Sequence, residues 1–125
     1  MPWVFRDVSP LAWPLLLAIA PTFLIAQPAG KVSFSKDVAP LLTQRCMDCH
    51  GREPLMANLD LRTRDGALKG AKHGPVIVPG NAAASHLYRR LIGEETPPMP
   101  LGGRLTDAEI AIVKAWIDSG AECPR

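Results

Sequence analysis

Cys46-Met47-Asp48-Cys49-His50 is the stretch in which residue types and spacing could do chemistry. Two thiols three positions apart, followed at once by a histidine, read as a c-type haem attachment site. Each thiol adds across one vinyl group of the porphyrin, so both sulfurs must lie under the same edge of a flat ring. A two-residue gap on a tight turn at a helix end puts them there. The histidine follows closely enough to turn its imidazole onto the iron from the same side, where haem iron is commonly held by His.

The same residues admit other readings. A Cys-x-x-Cys pair also serves thioredoxin-like dithiols, but those sit in a βαβ context that the surrounding sequence does not offer. It also serves as half of a zinc site, for which His73, His86 and Cys123 stand too far apart to supply the second pair. The third reading is a chance pair of structural thiols. Cys123 is then the odd thiol, with nothing basic or nucleophilic beside it in sequence.

A second chemical feature is Thr96-Pro97-Pro98-Met99-Pro100. Three prolines around one methionine make a stiff, extended segment. That stiffness suits an axial thioether, because a weak ligand bond survives better when little chain entropy opposes it. Met56, His73 and His86 are the other side chains that could reach an iron. Each has a commoner fate, in the core, on the surface or at a helix cap.

The elements that position these groups read as helices. Phe34, Val38, Leu41, Leu42 and Cys46 recur at helical spacing, with Ser35 or Asp37 as cap and Pro40 suited to a first turn. This helix delivers the two cysteines at its C-terminal end. Thr63 to Lys69 predicts a short helix stopped by Gly70. Val76-Ile77-Val78 between Gly74-Pro75 and Pro79-Gly80 predicts an extended apolar loop. Asn81 or Ser85 caps a helix with Leu87, Tyr88, Leu91 and Ile92 on one face, ended by Gly93. The last helix is the best signed: Thr106 and Glu109 form a capping box, Leu105 staples onto Ile110, and Val113, Trp116 and Ile117 complete its apolar face before Gly120. It is expected to pack on the first helix, with Trp116 beside the haem.

The chain has 125 residues and a net charge of +2, enough for one modest domain. It carries no basic run of the kind that implies a nucleic-acid partner. Residues 8–30 are uncharged, and 15–26 are almost wholly apolar behind Arg6. This is the pattern of a secretory signal cut after Ala26, or of an uncleaved anchor associating with the membrane through residues 8–26. Either way the body is exported, which agrees with a haem attached outside the cytoplasm.

From about Val32 to Glu122 the chain resembles the small single-haem cytochromes c, and more narrowly the planctomycete-type cytochrome c domain. The resemblance rests on Phe34…Asp37-Val38-Ala39-Pro40, Cys46-Met47-Asp48-Cys49-His50-Gly51, Val78-Pro79-Gly80, Ser85-His86-Leu87-Tyr88, Pro97-Pro98-Met99-Pro100 and Leu105-Thr106…Trp116-Ile117-Asp118-Ser119-Gly120-Ala121. It implies an all-α cytochrome c fold of three to five helices around one covalently bound haem c. Residues 1–26 are then the signal peptide or anchor, 27–32 a linker and 33–125 the cytochrome c domain. It implies thioethers at Cys46 and Cys49, His50 as proximal and Met99 as distal iron ligand, and a Gly-Pro carbonyl holding the proximal imidazole, for which Pro75 is the match. Ending at Arg125, the chain is expected to be a free-standing version of a domain often joined to larger exported proteins.

The function expected is periplasmic one-electron transfer, without catalysis, since Met/His ligation fills both axial positions. Val76, Ile77, Leu87, Leu91 and Trp116 would supply a dry wall. A rim of Arg62, Arg64, Lys69 and Lys72 would dock redox donor and acceptor proteins, among them a membrane respiratory or photosynthetic complex, unless these are ordinary solvated charges. The alternatives are a haem-bearing subunit anchored in a membrane complex by the leader, and an open-site haem enzyme or sensor if Met99 does not bind. His73 or His86 in place of Met99 would give a bis-histidine carrier.

Overall fold

The computed structural model describes residues 31–123, and the leader expected over 1–26 lies outside them. A π-helical turn, Phe34–Val38, runs directly into α1 (Ala39–Arg45), and α2 (Met47–His50) follows after one residue. A 3₁₀ turn at Met56–Asn58 leads to α3 (Arg64–Lys69), α4 (His86–Ile92) and α5 (Asp107–Asp118). The described residues form no strand, only an isolated bridge between Ala71 and Gly74, so the fold is all-α. No helix among them is long and apolar enough to cross a membrane.

The first helical path starts earlier than its expected caps. Asp37 does not cap α1; its carboxylate reaches back to accept the Ser33 N–H at 2.7 Å. The turn in between is π-helical, with the Ala39 N–H donating to the Phe34 carbonyl. Val38, at the N-cap position of α1, already has helical dihedrals and is fully buried, which leaves no place for a capping side chain. Pro40 falls in the first turn of α1, where its missing N–H costs nothing.

α5 carries the core. Ile110, Val113, Trp116 and Ile117 are buried along one stripe, and Ile117 has no exposed surface. Its capping box is formed: the Thr106 hydroxyl accepts the Glu109 N–H at 3.2 Å, and the Glu109 carboxylate accepts the Thr106 N–H at 2.7 Å. Leu105 and Ile110, the expected staple, are both buried. The π-turn packs against α5, bringing the Phe34 and Trp116 rings to 5.4 Å between centroids at 37°. That tilted contact adds to the area both rings bury.

α5 also organises the loop before α4. The Ile117 carbonyl accepts the Gly80 N–H at 2.7 Å, and Asp118 accepts the Ala82 N–H at 2.8 Å. Ser85, at the N-cap of α4 and fully buried, does not cap it. Its hydroxyl donates to the Asn81 carbonyl at 2.8 Å and accepts the Val78 N–H at 2.9 Å, closing the 78–85 loop instead. The Val76–Val78 run is extended as expected, with Val76 and Ile77 in the core and Val78 turned outward. Thr63 caps α3 by accepting the Gly66 N–H at 3.0 Å. Gly70, at φ +79°, ends α3 where a Cβ would come within 1.9 Å of the Gly74 carbonyl oxygen, so no larger residue fits that turn.

Candidate functional site

Cys46 interrupts the helical path and places the motif. Its N–H still bonds the Leu42 carbonyl at 2.9 Å, but its dihedrals (φ −125°, ψ −32°) break the helix before α2 resumes it. The Cys46 carbonyl accepts both the Cys49 N–H at 3.2 Å and the His50 N–H at 2.9 Å. The two cysteines therefore stand one turn apart on a common face. Cys49 is exposed and Cys46 half-buried. Burial pushes the Cys46 thiol up to about 11, the Arg45 charge only partly opposing it. A redox dithiol needs a thiolate, so this environment works against that reading. Among the described residues no three His, Cys, Asp or Glu side chains cluster as a metal site would require.

His50 is half-buried, and its Nδ1 lies 3.2 Å from the Met56 carbonyl oxygen. A carbonyl only accepts, so Nδ1 carries the proton and Nε2 keeps the lone pair a metal needs. The partner expected from sequence was the carbonyl of Pro75. The Met56 carbonyl takes that place because Ala57 and Asn58 both adopt φ +56°, folding the chain tightly back after it. The Leu61 N–H then bonds the His50 carbonyl at 2.8 Å and locks the loop to α2. Asn tolerates this left-handed region and Ala does so at a cost of ~1 kcal/mol. No sequence signal short of that Ala-Asn pair marks the turn.

Met99 lies on a loop folded back on the end of α4. Its N–H donates to the Arg90 carbonyl at 3.0 Å, and the Arg90 guanidinium donates to the Pro97 carbonyl at 2.8 Å. The methionine lines a cleft of about 350 Å³ with Leu91, Ile92, Pro98 and Leu101. Gly103 and Arg104 form its rim, and the Arg45 side chain donates to the Gly103 carbonyl at 2.9 Å. The residue before Cys46 is thereby bonded to the loop that follows Met99, while the cleft itself is lined by none of Cys46, Cys49 and His50. Leu101 is 65% exposed there.

The remaining candidates separate. Val76, Ile77, Leu87, Leu91 and Trp116 are all buried, but only Leu91 of these lines the cleft. Ile77, Leu87 and Trp116 instead meet Cys123 around a cavity of about 20 Å³. Burial raises the Cys123 thiol, which keeps it protonated. Arg62 is spent on Asp60, whose carboxyl its hydrogen bonds hold down at about 2, and Arg64 holds the Ala121 carbonyl at 2.7 Å. Lys69 and Lys72 remain exposed, as does His73. The His86 ring is engaged by Glu95 at 2.7 Å. Met56 serves through its backbone carbonyl, with an exposed side chain.

The donor set fits a covalently held haem: two thiols on one face, a histidine whose tautomer presents Nε2, and a thioether in an apolar cleft bonded to the same helix end. Residues 46–100 match the family described as Planctomycete cytochrome C. No curated protein matches the chain. Among solved structures it is similar to the Kuenenia stuttgartiensis hydrazine synthase, at 27% identity and a TM-score of 0.45 over 72% of this chain. The match spans 16% of that much longer chain. The haem-attachment motif Cys46–His50 lies within the matched segment, so residues 46–100 are similar to a planctomycete-type cytochrome c domain, a domain type that implies covalently bound haem c.

Proposed function

We propose that the protein is an exported one-electron carrier, without catalytic activity of its own, holding one haem c. Cys46 and Cys49 supply the thioethers, His50 the proximal ligand and Met99 the distal one. The observation that supports this reading most is the bond from Arg45, the residue before Cys46, to Gly103 on the rim of the Met99 cleft, a tie between the motif-bearing helix and the thioether-bearing loop. When bound, the haem supplies an iron that alternates between ferric and ferrous states. The chain does the rest. The Met56 carbonyl fixes the His50 ring and raises its basicity. Leu91, Ile92 and the prolines around Met99 keep water from the distal side. A sulfur ligand there favours the reduced state relative to more anionic ligands and leaves no open iron site.

Export to the periplasm follows from the apolar leader and from where covalent haem attachment takes place. Transient docking with redox proteins follows from the task. Lys69 and Lys72, exposed basic side chains, are the part of the expected rim that suits an acidic partner. Absorption of the oxidised holoprotein in the far red tests the ligand set. A methionine–ferric charge-transfer band is expected, and haem present without that band would remove Met99 from the iron.

A further inference from the structure

The loop carrying Met99 is short of backbone ladder bonds, and it is tied to α4 through Arg90 and one carboxylate. Glu95 accepts the His86 Nδ1–H at 2.7 Å and forms ion pairs with the Arg89 guanidinium at 2.6 Å and, more loosely, with Arg90 Nε at 3.5 Å. The carboxylate only accepts, so His86 Nδ1 is the donor and Arg89 pairs with Glu95 rather than with the imidazole. Gly93, at φ +83°, makes the geometry possible. It turns the chain out of α4 so that the Glu94 N–H reaches the Arg89 carbonyl at 2.8 Å and Glu95 faces its own helix. Arg90 relays this anchor. Its side chain spans from Glu95 to the Pro97 carbonyl at 2.8 Å, while its own carbonyl holds the Met99 N–H at 3.0 Å.

Exposed ion pairs contribute little. The Arg52–Asp48 pair, with side chains 77% and 83% exposed, is of that kind. The Glu95 side chain is 19% exposed and faces two guanidiniums and an imidazole at once. It is a shielded network, the arrangement in which charge-assisted hydrogen bonds hold a geometry.

We infer that Glu95 is a positioning residue for the distal methionine: by fixing the Arg90 guanidinium it holds the Pro97–Pro98–Met99 segment against α4 and keeps the thioether over the cleft. Two consequences follow. Losing the Glu95 charge should free the Met99 segment while the rest of the fold stays intact. Arg90 should be irreplaceable by lysine, because a point charge cannot bridge a carboxylate and a carbonyl as a guanidinium fork does.

The inference rests on Met99 as iron ligand for its functional meaning, and the test separates the two. Amide exchange of the Met99 N–H is followed in the ferrous holoprotein of the full chain for wild type, Glu95→Gln, Glu95→Asp and Arg90→Lys. Glu109→Gln serves as a control, since that carboxylate also accepts backbone and side-chain bonds but lies at the cap of α5. Glu95→Gln and Arg90→Lys should each speed exchange at Met99 about tenfold, with no further gain in the double variant. Glu95→Asp should restore part of the protection, and Glu109→Gln should leave it unchanged. In the ferric protein the same two variants should bind added imidazole more tightly, as the thioether gives way. Exchange at Met99 within twofold of wild type in Glu95→Gln would overturn the inference. So would acceleration spread equally over the α5 amides, or an equal effect of Glu109→Gln. If the wild-type protein lacks the far-red methionine band, the ligand assignment fails, while exchange at Met99 still decides whether Glu95 holds the loop.

Discussion

The two sides of the proposed haem site are built by different means. On the proximal side, Cys46, Cys49 and His50 sit in backbone-bonded helical turns that meet at the break at Cys46, with a carbonyl closing on the imidazole. On the distal side, Met99 is held by prolines, one backbone bond to Arg90 and a network of side-chain charges on Glu95. A ladder tolerates most single side-chain changes, because its bonds are between backbone groups. A charge network fails when one member loses its charge. The proximal side should therefore be robust and the distal side adjustable, which suits a centre where the histidine anchors and the second ligand tunes.

The largest effects break this comparison at the ligands themselves. Replacing both Cys46 and Cys49 by alanine should abolish covalent haem, read as the loss of haem fluorescence or staining from the protein band on a denaturing gel. Helix content by circular dichroism of the unloaded chain should change little, because neither cysteine is in a disulfide and neither thiol hydrogen-bonds a partner among the described residues. Met99→Ala should leave haem attached and remove the far-red band. A variant that lost attached haem at Met99 as readily as at the cysteines would show that the two sides are one cooperative unit.

The same contrast decides what the sequence can disclose. Local chemistry was legible: the capping box of Thr106 and Glu109, the helix stop at Gly70, the apolar stripe of α5 and the Cys46–His50 spacing each depend on residues a few positions apart. Contacts across the chain were not. Nothing in the order of residues tells that Arg45 reaches Gly103, or that Glu95 gathers His86, Arg89 and Arg90. Pro75 was the reasonable partner for His50 by resemblance. The Met56 carbonyl replaced it because two consecutive left-handed residues, one of them alanine, bend a loop that propensity leaves open. Asp37 missed its capping role because a π-turn shifted the start of the helical path back to Ser33.

Smaller effects sharpen the comparison. Ala57→Val puts a β-branched residue at φ +56°, a conformation it avoids. The Met56 carbonyl should then swing off His50 Nδ1. The imidazole loses basicity, and the reduction potential of the holoprotein should rise while the far-red band survives. An unchanged potential would show that the carbonyl contributes nothing to the iron. Thr106→Ala removes the hydroxyl that caps α5 and should lower global stability by about 1 kcal/mol in denaturant titration, with both ligands still bound.

The smallest effect is a dependence on acid that falls on one side only. Burial alone would raise the Glu95 carboxyl, but its hydrogen bond from His86 and the charges of His86, Arg89 and Arg90 outweigh that and hold it below its ordinary value of 4.5. A carboxyl whose folded value is depressed contributes stability that is present above its unfolded value. That contribution is lost as pH falls through the folded one. The anchor of the Met99 segment should therefore be complete at pH 6 to 7 and weaken only below about pH 4.5. The proximal bond from His50 to the Met56 carbonyl involves no carboxylate, so the same fall removes no anionic partner from it. An acid titration of the ferric holoprotein should show the far-red methionine band fading before the haem–histidine signature in the Soret region changes. If both spectral features fade together at one pH, the two sides share a single cooperative hold, and the division between a ladder-built anchor and a charge-built clamp fails.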